Sequence, residues 1–462
     1  MIEDKIKPLK TSLTAAEWDA SVKKQKKAAP TSLTDKAYFI ANLMMSENYI
    51  RIQESLYNFT GKIWEEVKQG KDSGIVLNKW MSSFSNAPND NNRKEVLKML
   101  SDLTWNFYPE QMEIIGTPTE WINLLDYRYN IYTKERKDYK KDDLCIWQLP
   151  FNLPDDSLNP VNFINFCSEV FKNHNYDQEN FNKTVKMVME WIGYCLIPGN
   201  PFQIAFIMVG NGQNGKGKTM DIVEAIVGSS NCSHLDIKEI NDGSAIWMSK
   251  GKLINFCGDV TSEEQLDSSI MKRVVEGATI VTNKKYAQQW EMPFTAKLMM
   301  GANDIPFSRN SGFSIQRRYI MLPMVRQFTT DERDPDILKK ISPEYPYILK
   351  EALRHLPYLL SRKHFDLPKS CLDAYEQYTL QNDSFKAWLE EEHKIGDPEK
   401  DYCRTKDIKT EYQDYCKSSG LKAIGPQKIY KKLREMGYST SKINGDDCFR
   451  GIRKPENSTD LY

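Results

Sequence analysis

Between residues 181 and 230 the spacing of apolar positions changes character three times. "FNKTVKMVMEWIGYCLI" carries Val185, Val188, Trp191 and Ile192 on one helical face, which predicts an amphipathic helix that "PGNP" then stops. "FQIAFIMV" is a short unbroken apolar run, the pattern of a strand buried on both faces in a parallel sheet. After it come the glycine- and lysine-rich "GNGQNGKGKT" and the helical stretch "TMDIVEAIVG". A strand, a glycine loop and a helix in that order make a nucleotide-binding βα unit. Three more short apolar runs, "KLINFCGD" (252–259), "TAKLMMGAN" (295–303) and "RRYIMLPM" (317–324), alternate with helical stretches. The expected class is therefore α/β with a largely parallel sheet.

The flanks read differently. Residues 1–35 include "SVKKQKKAAPTS", a basic, weakly hydrophobic arm that is either solvated or touches DNA. "YIRIQESLYNFTGKIWEEV" alternates apolar and polar residues around a "TGK" turn and predicts a hairpin. It belongs to a small mixed α+β unit over 36–155. The α/β core is expected over 156–330, a helical connector over 331–383, and a short tail over 454–462. Residues 384–453 read as three helices separated by turns, then a hairpin around "NGDD", the order of a winged helix.

Composition narrows the function classes. Sixty-three basic residues balance 63 acidic ones, so any polyanion site must be a local patch. Nine cysteines without a C-x-x-C pair point to reduced thiols in the cytoplasm and away from a zinc ribbon. No run approaches the roughly 18 apolar residues of a membrane span, and "MIEDKIKPLK" has no signal-peptide character.

The glycine loop raises a question of register. A triphosphate needs a ring of backbone N–H groups, one lysine at its β/γ end and a hydroxyl for Mg²⁺. The strict pattern G-x-x-x-x-G-K-[ST] matches only "GQNGKGKT", which puts Lys218 and Thr219 in those roles. Two residues earlier, "GNGQNGKG" offers Gly210, Gly212, Asn214, Gly215 and Lys216, with Gly217 where the hydroxyl should stand. Gly210 follows the strand at once, which favours the earlier register, and the later one stays open.

Five segments in this order resemble superfamily 3 helicases of the phage/plasmid primase and poxvirus helicase-primase type, within the AAA+ class of phosphate-loop ATPases. They are "GNGQNGKG", "LINFCGDVTSEE", "IMKRVVEGATIVTNKKY", "AKLMMGAND" and "GFSIQRRYIMLPM". The resemblance covers roughly 150 to 455, and 36–150 more weakly. It implies that Asp259 is the acid that holds Mg²⁺ through water, with Thr219 or a water replacing the missing hydroxyl. Glu263 or Glu264 would polarise the attacking water, and Asn303 would sense the γ-phosphate. Arg317 or Arg318, with Arg318 preferred, would reach the neighbouring subunit's nucleotide. Lys284 and Lys285 would grip single-strand phosphates from a pore-facing hairpin, where Tyr286 could stack on a base. The stretch from 424 to 442 adds a recognition-type helix with Lys428, Lys431, Lys432 and Arg434 opposite Ile429 and Leu433.

These expectations combine into an ATP- and Mg²⁺-dependent DNA helicase of a phage, plasmid or viral replication system, in the host cytoplasm. It would act on single-stranded and forked DNA as a homo-oligomer, a hexameric ring moving 3′ to 5′ by the family's habit. No paired D-x-D acids precede the core, so a primase or polymerase would come from elsewhere. Two rivals remain: an ATP-switched initiator or loader that binds origin DNA without processive unwinding, and a packaging or remodelling ATPase that binds protein.

Overall fold

The computed structural model describes residues 32–52, 55–67, 76–78, 89–107, 120–243, 245–261, 264, 266, 268–282, 290–303, 315–382, 384–392, 394–418 and 423–453. Helix α1 (Leu33–Ser46) begins where the Ser32 side chain accepts the Asp35 N–H at 3.0 Å. Strands β1 (Tyr49–Ile52), β2 (Ser55–Phe59) and β3 (Trp64–Glu66) form an antiparallel meander, and the expected turn at Thr60–Lys62 joins its last two strands. Helix α2 (Asp90–Phe107) completes the unit, whose core gathers Ile40, Met44, Ile50, Leu56, Trp64, Leu100 and Leu103.

A second small antiparallel sheet comes next: β4 (Trp121–Asn123), β5 (Arg128–Asn130) and β6 (Arg136–Lys137). The sequence places this stretch with the N-terminal unit. Its apolar side chains instead share a core with two helices farther along the chain. Ile122, Leu124, Ile131, Trp147 and Leu149 pack in one cluster with α3 (Val161–Val170) and α4 (Gln178–Cys195). The unit boundary expected at 155 therefore does not coincide with a boundary in packing.

Five parallel strands form the central sheet: β7 (Ala205–Val209), β8 (Cys232–Ser233), β9 (Ile254–Val260), β12 (Lys297–Ala302) and β13 (Tyr319–Pro323). Their spatial order is β13-β7-β12-β9-β8. Both faces are covered, which explains the unbroken apolar runs, because successive side chains point to opposite sides. Phe206, Met208, Phe256, Met299 and Ile320 meet α4 and α5 (Lys216–Val227) on one face; Ile207, Cys257, Leu298, Met300 and Met321 line the other. That second face is shared by α6 (Ile237–Asp242) and α7 (Ser269–Val275). Beside the sheet, β10 (Thr279–Thr282) pairs antiparallel with β11 (Trp290–Pro293), on either side of the segment from which the resemblance expects a hairpin.

The expected connector is part of the core. After α8 (Ile337–Ile341), helix α9 (Tyr345–Arg362) buries Ile348, Leu349, Ala352 and Leu356 in the α4 cluster. Helix α10 (Lys369–Asn382) lies on the opposite face, where the Tyr375 hydroxyl donates to the Tyr319 carbonyl at the start of β13. A helical composition alone does not reveal these apolar faces as core.

The C-terminal unit has the expected three helices before a hairpin, and between the first two helices a strand that the sequence reading did not show. Helix α11 (Ser384–Glu391), β14 (Tyr402–Arg404), α12 (Thr405–Ser418), α13 (Pro426–Glu435), β15 (Thr440–Ile443) and β16 (Asp446–Arg450) enclose Phe385, Trp388, Tyr412, Leu433 and Phe449. The hairpin turns on Asn444 and Gly445, with φ of 52° and 89°, as a tight two-residue turn demands. Among the described residues no helix is long and apolar enough to cross a membrane.

Candidate nucleotide site

Residues 210–215 leave β7 at its C-terminal end, where crevices of parallel sheets collect ligands. Three neighbours clamp this loop. The Met324 N–H donates to Val209 O at 2.7 Å, and the buried Asn214 amide donates to Met324 O at 3.2 Å. Phe328 N–H donates to Gln213 O at 2.8 Å. Val170, at the end of α3, closes the third side: a Cβ on Gly215 would lie 2.8 Å from its methyl group. Gly215 also has φ of +87°, the left-handed backbone that glycine tolerates best. Gly210 is tighter still, since a Cβ there would lie 2.1 Å from the Met324 carbonyl.

Helix α5 begins at Lys216, so its first-turn N–H groups open onto the loop. The Lys216 side chain runs back over that loop. It is 9% exposed, its ammonium donates to Gly210 O, and it lies 3.3 Å from Asn303 Oδ1. Burial pulls this ammonium below the ordinary lysine range, while the negative charge of Asp259 works the other way. Lys218 points elsewhere, 48% exposed and 3.4 Å from Asp221. The structure therefore places Lys216, and not Lys218, over the loop.

Asp259 and Asn303 stand at the C-terminal ends of adjacent strands. Strand β12 lies between β7 and β9, so Asn303 falls between the loop and Asp259. Gly301 makes this spacing possible, because a Cβ there would lie 2.8 Å from Gly258 O and 3.6 Å from Lys216 Cδ. The sequence reading missed this glycine, although one inside a fully buried strand was its signal.

Thr219 disagrees with the metal role expected of it. Its hydroxyl donates to Gly215 O at 3.0 Å, one turn back in its own helix, and the residue is 3% exposed. Among the described residues, a cation at the phosphates would thus be met from the Asp259 side, not from Thr219. Glu264 is likewise engaged: its carboxylate accepts the Thr261 N–H at 2.9 Å, and its own N–H returns to Thr261 O at 3.2 Å. Glu263 lies outside the described residues.

The arginine preference reverses. Arg318 is 10% exposed and bonds Glu276 at 2.5 Å, tying the approach to β13 to the end of α7. Arg317 is 57% exposed and only 3.6 Å from the same carboxylate, so it is the arginine free to extend outward. A further arginine escaped the sequence reading. Arg326 pairs with Glu169 at the end of α3 and stacks on Phe328, 4.5 Å from the ring centre, beside the loop. It follows the last buried strand, where the apolar signal ends.

The sequence expects two further groups of DNA contacts. Lys284, Lys285 and Tyr286 lie outside the described residues, between the paired strands β10 and β11. On α13, Lys428, Lys431 and Arg434 are exposed and Lys432 is half-buried, while Ile429 and Leu433 face the core as expected.

A family model described as "Family of unknown function (DUF5906)" matches residues 208–318, a span that runs from the end of β7 through Arg318. No curated protein matches this chain. Among solved structures, the A form apo structure of the NrS-1 C terminal region is 11% identical, with a TM-score of 0.45 over 90% of this chain and 99% of that one. An apo structure of the NrS-1 C terminal region (305–718) is also 11% identical, with a TM-score of 0.48 over the same shares.

Proposed function

We propose that this chain is an ATP hydrolase acting on DNA, a ring-forming helicase of the superfamily 3 AAA+ type from a phage, plasmid or viral replication system. The observation that carries the reading is Lys216, folded back over a clamped glycine loop and within hydrogen-bonding reach of Asn303. An ammonium held there, with no carboxylate among the described residues within hydrogen-bonding distance, suits the β- and γ-phosphates of a nucleotide.

Each residue then has a separable task. Backbone N–H groups of 210–217 cradle the phosphates. Lys216 leaves the Gly210 carbonyl for phosphate oxygens. Asn303 orients a water against the γ-phosphorus, and attack by that water breaks the β–γ bridge to give ADP and inorganic phosphate. Asp259 supplies negative charge on the far side of Asn303. Arg317 from an adjacent subunit neutralises charge on the transferring group, so hydrolysis requires a ring, taken here as a hexamer. Lys284, Lys285 and Tyr286, in the stretch of sequence joining β10 to β11, convert the cycle into travel along single-stranded DNA.

The C-terminal unit supports a DNA partner independently. Its helix order and antiparallel hairpin suit a winged helix, with α13 presenting Lys428, Lys431 and Arg434. That same surface is the observation favouring an initiator that marks origin DNA without processive unwinding. A forked-duplex assay separates the two readings. The helicase reading expects ATP hydrolysis raised at least tenfold by single-stranded DNA, with strand displacement. Hydrolysis indifferent to DNA, together with no displacement, sinks it.

A further inference from the structure

The cation half of the site is where this chain departs from an ordinary phosphate loop. Such a loop places a serine or threonine hydroxyl directly after the lysine to hold Mg²⁺. That position is Gly217, and a Cβ there would meet nothing within 4 Å, so the room for a hydroxyl exists and the hydroxyl does not. The next hydroxyl belongs to Thr219. Two residues along an α-helix is about 3 Å farther from the loop, and this hydroxyl is buried on the Gly215 carbonyl. Lys218, between them, brings a positive charge. The Glu264 carboxylate caps Thr261. Among the described residues no three histidine, cysteine or acidic side chains are grouped to hold a metal.

We propose that the phosphate loop and its helix give the nucleotide's divalent cation no hydroxyl ligand. The cation would then rest on the phosphates, and among the described residues Asp259 is the acid that addresses it, through water. Binding of the triphosphate then depends chiefly on the backbone N–H groups and Lys216, so affinity is nearly independent of the cation. This inference rests on the nucleotide reading above. Gly217 is absent from the positive-φ glycines and lies inside α5, so a serine there meets no backbone strain. Gly217→Ser should therefore restore the missing ligand.

The test is the affinity of the full chain for a fluorescent, non-hydrolysable ATP analogue, by anisotropy, in Mg²⁺ and in EDTA. For the wild type the two dissociation constants should agree within about threefold, and for Gly217→Ser binding should be about tenfold or more tighter in Mg²⁺. Thr219→Val should leave the wild-type ratio unchanged. A wild-type affinity that falls about tenfold or more in EDTA overturns the proposal, as does a ratio altered by Thr219→Val. Should Gly217→Ser misfold, the wild-type and Thr219→Val measurements still decide. Absence of binding under both conditions rejects the nucleotide reading itself, a different result from cation-dependent binding.

Discussion

Lys216 Nζ lies 3.3 Å from Asn303 Oδ1, across the C-terminal ends of two neighbouring parallel strands. The contact joins residues 87 positions apart and brings the loop of β7 to the end of β12. It also settles which of two lysines faces the loop. Lys216→Ala should lower DNA-stimulated ATP hydrolysis by about 100-fold or more, since the loop loses the ammonium that lies over it. Lys218→Ala removes an exposed charge beside Asp221 and should stay within about threefold. A steady-state phosphate-release assay on both variants decides; the reverse order would return the active role to Lys218 and Thr219.

Gly210 and Gly212 sit two residues apart in the same loop and should respond oppositely to alanine. At Gly210 the added methyl would meet the Met324 carbonyl at 2.1 Å, a backbone atom that β13 cannot move aside. At Gly212 it meets nothing within 4 Å. Chemical denaturation should show a loss of about 1–3 kcal/mol for Gly210→Ala. Gly212→Ala should lie within about 0.5 kcal/mol of the wild type. Equal effects would mean that the clamp by Met324 does not hold the loop.

How much of the molecule is legible in its sequence depends on how local each signal is. The strands bearing Ile207, Phe256, Met299 and Met321 are visible there because burial on both faces leaves no polar position to blur them. The turn at Asn444–Gly445 is visible because positive φ at two successive residues favours those side chains. Lys216 is only half-legible: two overlapping glycine patterns satisfy the same rule, and where the helix starts chooses between them. Packing between distant segments leaves no local trace. Nothing in "RRYIMLPM" says that Glu276 claims Arg318 and leaves Arg317 exposed. Likewise, nothing around Trp147 says that it joins the sheet's core rather than the N-terminal unit.

Lys297 gives the structure a pH signature. It begins β12 with no exposed surface, donates to Ile197 O, and lies 5.1 Å from the centre of the Tyr194 ring. Burial pulls its ammonium from 10.5 to about 7. Between these values the unfolded chain holds a proton that the folded chain releases, so this residue makes stability rise with pH from about 7 toward 10.5. Below about 7 both states carry the proton and its contribution is flat. Buried thiols such as Cys167 and Cys257, pushed up by desolvation, act in the opposite sense once unfolded thiols ionise. The difference between the wild type and Lys297→Met isolates the lysine. Denaturation at several pH values from 7 to 8.5 should show the wild type gaining stability relative to the variant. A constant difference would place the ammonium's titration outside that window.

Arg317 and Arg318 separate a reaction performed between subunits from one performed within a subunit. Arg318→Ala leaves Glu276 without its 2.5 Å partner and should destabilise the fold by about 1–3 kcal/mol. Arg317→Ala removes an exposed side chain and should leave the melting temperature unchanged. Its hydrolysis rate should nonetheless fall by about a thousandfold if it completes a neighbour's site. Mixing gives the sharper measurement. In Arg317→Ala subunits the loop is intact, and in Lys216→Ala subunits the arginine is intact. An equal, random mixture in a closed ring pairs an intact loop with an intact arginine at about one interface in four. Two preparations that are each inactive should therefore recover hydrolysis on mixing and subunit exchange. An arginine that served its own subunit's nucleotide would leave the mixture as inactive as its parts, because no protomer in it carries both residues.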